Sequence, residues 1–174
     1  NPPFWFGAFT PGNAEFAGRL GMHAVCGGTN TMAKDMKAIY DEARAQARGT
    51  ERDLNPHVDT PLFGAFRHVF VADTDEQADE IATPAYKVYY ENLMKLWRDF
   101  NTVNTLFTPD LAEAKSYDVA WSGSPETIAA QINRYFEESG ANYLVMAVAW
   151  GSLSAEQTRR SFDLLTNEVL PKVS

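Results

Sequence analysis

The chain has 174 residues, 45% hydrophobic and 13% aromatic, enough for one domain with a real core and too apolar to stay disordered. Its 23 acidic and 15 basic side chains leave a net charge of −8 with no dense Lys/Arg cluster, which argues against nucleic acid or an anionic membrane surface as a partner. The single cysteine, Cys26, excludes an internal disulfide and fits a reducing cytoplasm, the expected location; the longest apolar run, Tyr143 to Trp150, is far too short to span a bilayer.

In chain order, Asn1-Pro2-Pro3 lacks the positive start of a signal peptide. Phe4 to Ala8 reads as a short buried strand, and a chain that opens almost directly into one reads as a fragment of something longer. Phe9-Thr10-Pro11-Gly12-Asn13 is turn chemistry, with Thr10 or Asn13 capping a short helix that runs through Leu20 and stops at Gly21. Met22 to Cys26 is a second apolar run, closed by Gly27-Gly28-Thr29-Asn30. Thr31 is expected to cap a helix to about Arg48, with Met32, Met36, Ile39 and Tyr40 on one face and Gly49 at its end. Thr50 to Pro61 is a polar connecting loop, and Leu62 to Ala72 a third strand. Asp73 to Glu76 start a helix toward Phe100, which Pro84 is expected to kink or split. Asn101 to Ser122 has weak periodicity and reads as an insertion covering one end of the sheet.

The last stretch is the clearest. Ser124 and Pro125 open a helix with Ile128, Ile132, Tyr135 and Phe136 on one face, and Gly140 ends it. Tyr143 to Trp150 is apolar on both faces, as a strand covered on two sides would be. Ser154 and Gln157 form a capping box for a final helix that ends before Pro171. About four rounds of strand, glycine-bearing loop and helix imply an α/β fold with parallel strands. Residues 1–174 form one domain, 101–122 being the insertion. Four such units are half of a closed eight-stranded barrel, and a half alone leaves open sheet edges and an apolar inner face. Either a missing half closes it or the chain associates with itself.

These residues resemble a known family. Gly123-Ser124-Pro125-Glu126-Thr127-Ile128-Ala129, Gly140 to Tyr143 and the ending Glu168 to Pro171 are similar to the C-terminal signature of the bacterial luciferase-like flavin monooxygenases. Val69 to Ala78 resembles that family's seventh strand and following helix. Pro3 to Ala8, with Ala14 to Ala17 and Gly21, resembles its fifth. The resemblance implies the C-terminal half of a TIM (β/α)8 barrel. It implies reduced FMN, or in some branches a deazaflavin, as cofactor. Also implied are O2, a small organic substrate, and often a separate flavin reductase. The deazaflavin branches transfer hydride instead. By the same resemblance the loop after the first strand grips the flavin phosphate, with Ala8, Thr10, Gly12 and Asn13 as the cofactor-binding residues. Asn13 replaces a common hydroxyl residue, and Pro11 removes one N–H. The family's catalytic histidine lies in the first half, so no catalytic residue is assigned here and the chain is expected to be inactive alone.

Other candidates have simpler explanations. The Gly27 to Asn30 loop reads first as a strand-to-helix turn needing positive φ, and otherwise as a second ligand loop. His23, His57 and His68 show no metal spacing, and Cys26 reads as a small buried hydrophobe. The carboxylates from Asp73 to Glu80 read as a helix start and solvated face. Trp150, at the end of the last strand, either lines a flavin or substrate pocket or plugs the barrel mouth. The rival from another class is a non-catalytic half-barrel that works as an assembly module.

Overall fold

The computed structural model describes residues 2–102 and 108–174. They fall into two compact units, one reaching to Arg67 and including Arg134–Val145, the other made of His68–Asn133 and Met146–Ser174. The strands pair in a parallel sheet, and helices flank them.

The first unit holds β1 (Trp5–Gly7), α1 (Pro11–Arg19), β2 (His23–Cys26), α2 (Asn30–Ala47) and the first part of β3 (Phe63–Val71). β1 runs parallel to β2, with Trp5 opposite His23, and β2 runs parallel to β3, with Cys26 opposite Ala65. Side chains alternate across the sheet, so each strand presents two different faces. On one face Phe6 meets Phe16 of α1, and Phe63 meets Tyr40 of α2, each pair of ring centroids 5.1 Å apart. On the other, Trp5 lies 4.6 Å from the His23 ring and 5.1 Å from Tyr143, yet stays 43% exposed. Among the described residues this second face leaves Trp5 partly open to solvent.

Several buried polar side chains in this unit pair with one another. Arg67 donates to Asn30 Oδ1 (3.1 Å), and Asn30 Nδ2 donates to Glu138 (2.9 Å). The Arg44–Asp53 ion pair is almost wholly inside, at 2.8 Å. His23 Nδ1 accepts the Leu62 N–H at 2.8 Å, so burial and the nearby Arg44 charge hold its pKa below the usual value.

The second unit holds the rest of β3, α3 (Asp75–Asp99), α4 (Leu111–Ser116), β4 (Ala120–Gly123), the start of α5 (Pro125–Ser139), the end of β5 (Tyr143–Ala147) and α6 (Ala155–Leu164). β4 runs parallel to β3, from His68 opposite Ala120 to Val71 opposite Gly123. Ala78, Ala82 and Ala85 recur at helical spacing and are fully buried, which lets α3 pack closely on Phe70 and Ala72. Gly151 has φ +61°, and a Cβ there would sit 1.8 Å from the Ala85 carbonyl oxygen, so no other residue fits.

Most capping expectations hold. Ser124 accepts the Thr127 N–H at 3.3 Å, Ser154 and Gln157 form the capping box, and Gly21, Gly49 and Gly140 all have positive φ. Several expectations are corrected. Among the described residues the sheet has five strands where about four were expected, since the stretch read as an insertion contains α4 and most of β4; residues 103–107 of that stretch lie outside the described residues. The cap of α2 is Thr29, not Thr31: its Oγ1 accepts the Met32 N–H at 3.1 Å. Pro84 does not split α3, which is one helix from Asp75 to Asp99; the proline is exposed, so water can solvate the carbonyl it leaves unpaired. β5 stops at Ala147 and all five of its residues are half-buried, since its only strand partner among the described residues is β3. The final helix widens into a π-helical turn, Leu165–Val169, before a short 3-10 turn at Leu170–Lys172. Among the described residues no helix is long and apolar enough to cross a membrane.

Candidate functional site

Because β1 and β2 are parallel, the turns that follow them share one end of the sheet. Thr10 has extended backbone (φ −138°, ψ 157°) and caps α1, its Oγ1 accepting the Asn13 N–H at 3.3 Å. Pro11 occupies the first helical position, where its missing N–H leaves no intrahelical bond unmade. The Asn13 and Ala14 N–H groups turn back to the Thr10 carbonyl, each at 3.0 Å. The Gly12 N–H sits at the second helical position and has no partner within the helix, and a Cβ on Gly12 would meet nothing within 4 Å. The first turn of α1 contains no acidic residue. Thr10, Gly12 and Asn13 are therefore brought together on an open helix N-terminus, with a hydroxyl, a backbone N–H and a side-chain amide as donors. Ala8 is different. It is fully buried and its N–H donates to Val25 O at 2.8 Å, so it holds the turn in place.

Phe9, between them, was not singled out by the sequence. Its ring lies across the ends of the two strands: a Cβ on Gly7 would approach it to 3.0 Å and one on Gly27 to 3.2 Å. It remains 61% exposed. The Gly27 to Asn30 loop is a turn of the simpler kind. Gly28 has φ +87°, Thr29 is a cap and Asn30 is buried in the Arg67 network. Cys26 is fully buried, and desolvation pushes its thiol up to about 11, which keeps it protonated and inert.

In the second unit, His68 is buried in a box of aromatic rings, with centroids 4.1 Å from Tyr89, 5.8 Å from Trp150 and 6.4 Å from Tyr86. Burial lowers its pKa to about 4, so it is neutral at pH 7. Trp150 is 7% exposed, and its Nε1 donates to Val69 O at 3.4 Å. It belongs to the core of this unit and lines neither of two grooves found among the described residues. One groove, of 580 Å³, is bounded by Val148, Leu153, Arg159 and Phe162; the other, of 230 Å³, by Phe70, Asp73, Gln77 and Arg160. Among the described residues no three His, Cys, Asp or Glu side chains gather as a metal site would need. The carboxylates of α3 do more than face solvent. Asp75 accepts the Ser124 N–H at 2.6 Å and the Thr127 hydroxyl at 3.0 Å, and these bonds hold its carboxyl below the usual range. No spacing rule pairs residues 49 positions apart.

The family model for luciferase-like monooxygenases matches residues 1–143. The chain belongs to that family. Among its relatives is 3,6-diketocamphane 1,6-monooxygenase of Pseudomonas putida, 27% identical over 154 residues, covering 78% of this chain and 36% of the relative. Another is an uncharacterized protein of Sinorhizobium fredii, 25% identical over 99% of this chain and 49% of the relative. The chain thus spans half the length, or less, of the curated relatives it matches. Among solved structures, the oxygenating constituent of 3,6-diketocamphane monooxygenase of Pseudomonas putida, a type II Baeyer–Villiger enzyme in complex with FMN, superposes with a TM-score of 0.74 at 23% identity. That match covers 99% of this chain and 49% of the other. The coenzyme F420-dependent tetrahydromethanopterin reductase of Methanopyrus kandleri gives a TM-score of 0.64 at 17% identity, covering 99% and 51%. Both likenesses show the shared fold, the barrel of this family.

Proposed function

We propose that the chain is part of a flavin-dependent monooxygenase and that its Thr10–Asn13 turn grips the phosphate of FMN. The observation that carries this reading is the acid-free N-terminus of α1, where Gly12 stands at the second helical position with open space around its Cα and Thr10 is the cap. Such an end carries roughly half a positive charge and is a ready anion site. The donors suit a phosphate: a backbone N–H, a hydroxyl and an amide supply hydrogen bonds without a competing carboxylate. Reduced FMN, when bound, would supply the reaction with O2 that oxygenates a small organic substrate. The chain's own residues would hold and orient it. Thr10 and Gly12 anchor one end, and the buried Ala8 keeps their turn rigid through its bond to β2. Proton transfer is assigned to no residue of this chain. The FMN-bound relative supports FMN; a deazaflavin is the alternative, with hydride transfer in place of oxygenation. A reductase would deliver the reduced flavin.

Calorimetric titration with FMN tests the grip. Binding that Thr10→Ala weakens about tenfold is expected, the loss of one hydrogen bond to a charged group. Equal affinity in both proteins would rule the turn out as the phosphate site. The exposed Trp5 on the inner wall favours a second reading, a half-barrel that works as an assembly module with no flavin of its own. A stable dimer by light scattering with no flavin binding would support it.

A further inference from the structure

We propose that Phe9 is a specificity-determining residue, its ring forming the surface on which the ribityl chain and adjoining ring edge of the flavin lie. This rests on the phosphate grip proposed above. The argument starts from what the ring displaces. Gly7 ends β1 and Gly27 follows β2, and both lie under Phe9, with the nearest ring atom 3.0 Å and 3.2 Å from where a Cβ would stand. A side chain at either position would press on the ring, which would have to give by a few tenths of an ångström. Glycine in or beside a strand weakens it, so two positions are given up to seat this ring. Within this chain the ring is mostly open to solvent: Phe9 is 61% exposed and contributes only a fraction of what a core phenylalanine would. What remains is a flat apolar platform facing outward, one residue before Thr10. A phosphate held at the Gly12 N–H leaves its organic ester beside that platform. A bare phosphate or a sugar phosphate gains little from an aromatic face; a flavin gains apolar contact along its chain and ring.

Titration of the unaltered chain, Phe9→Ala, Phe9→Tyr and Thr10→Ala with FMN, with riboflavin and with inorganic phosphate separates the two roles. Phe9→Ala is expected to weaken FMN and riboflavin by the same factor, about tenfold, and to leave inorganic phosphate unchanged. Phe9→Tyr keeps the ring and should bind both flavins as the unaltered chain does. Thr10→Ala should weaken FMN and inorganic phosphate but not riboflavin. If FMN binding depends on Thr10 and is unaffected in Phe9→Ala, this inference fails and the phosphate grip stands. If riboflavin depends on Phe9 but the phosphate adds nothing, the grip fails and the platform stands. If Phe9→Ala also weakens inorganic phosphate, the ring only braces the turn and the inference fails. If the unaltered chain binds neither flavin, both fall.

Discussion

Burial among Tyr86, Tyr89 and Trp150 strips water from His68 and holds its pKa down near 4. The unfolded chain would titrate the same histidine near 6.5. Below that pH the unfolded state takes up a proton that the folded state refuses, so folding stability is fully present above pH 6.5 and drains away as pH falls toward 4. The two tyrosines are raised, Tyr86 to about 12, and stay neutral throughout this window. A shift of this size corresponds to roughly 3 kcal/mol. Urea unfolding at pH 7.5 and pH 4.5 should therefore show a large loss in the unaltered chain and a smaller one in His68→Leu. His23, also lowered, adds to the slope in both proteins and leaves the difference to His68. An identical slope in the two proteins would mean His68 is hydrated and the aromatic box is open.

Helices in this chain are joined by side chains that sequence spacing does not connect. Asp75, in the first turn of α3, accepts hydrogen bonds from Ser124 and Thr127 and so caps the start of α5 from outside. Both partners are near the surface, where charge-assisted bonds are partly screened, so Asp75→Ala should cost about 1 kcal/mol and Asp75→Asn less. Hydrogen exchange should quicken at the N-terminal turn of α5 and not at that of α6, whose capping box is its own. Local signals of this second kind were legible: Thr10, Ser124 and Ser154 carry the cap chemistry in their own side chains, and the four apolar runs became strands. β4 escaped notice because four residues are too few to show a period, and its identity depends on pairing with β3. Trp150 could be read two ways, because only the packing of His68, Phe70 and Tyr86 decides which way an indole turns. Thr29 and Thr31 are equally good caps on paper; the positive φ of Gly28 sets the entry angle that selects Thr29. At the candidate site, Thr10, Gly12 and Asn13 were legible as a turn before a helix. Phe9 was not, since its meaning lies in a glycine on a neighbouring strand.

Large apolar side chains remain in water at many points of the molecule: Phe4 at 54%, Trp5 at 43%, Phe16 at 46%, Phe100 at 76% and Phe162 at 50% exposure. Scattered singly, such residues need no explanation, but Phe4 and Trp5 sit at β1, whose only strand partner among the described residues is β2. A short parallel strand with one unpaired edge and an exposed indole is a template for further pairing. The relatives that share this fold are about twice as long, 49% of the FMN-bound structure being covered. On that basis the isolated chain should bind 8-anilinonaphthalene-1-sulfonate and scatter more light per unit mass as its concentration rises. It should also consume no O2 with reduced FMN and small organic compounds beyond the rate of the free flavin. Supplying the first half of a luciferase-like barrel in trans should quench the dye, lower the scattering mass to a defined complex and shield Trp5, whose emission would shift to the blue. Trp5→Lys should make the isolated chain more soluble and at the same time prevent that complex, because a charge placed on the inner wall has to be desolvated when the wall is covered. A dye-dark chain that stays monomeric at every concentration, with Trp5→Lys without effect, would show instead that this face needs no cover.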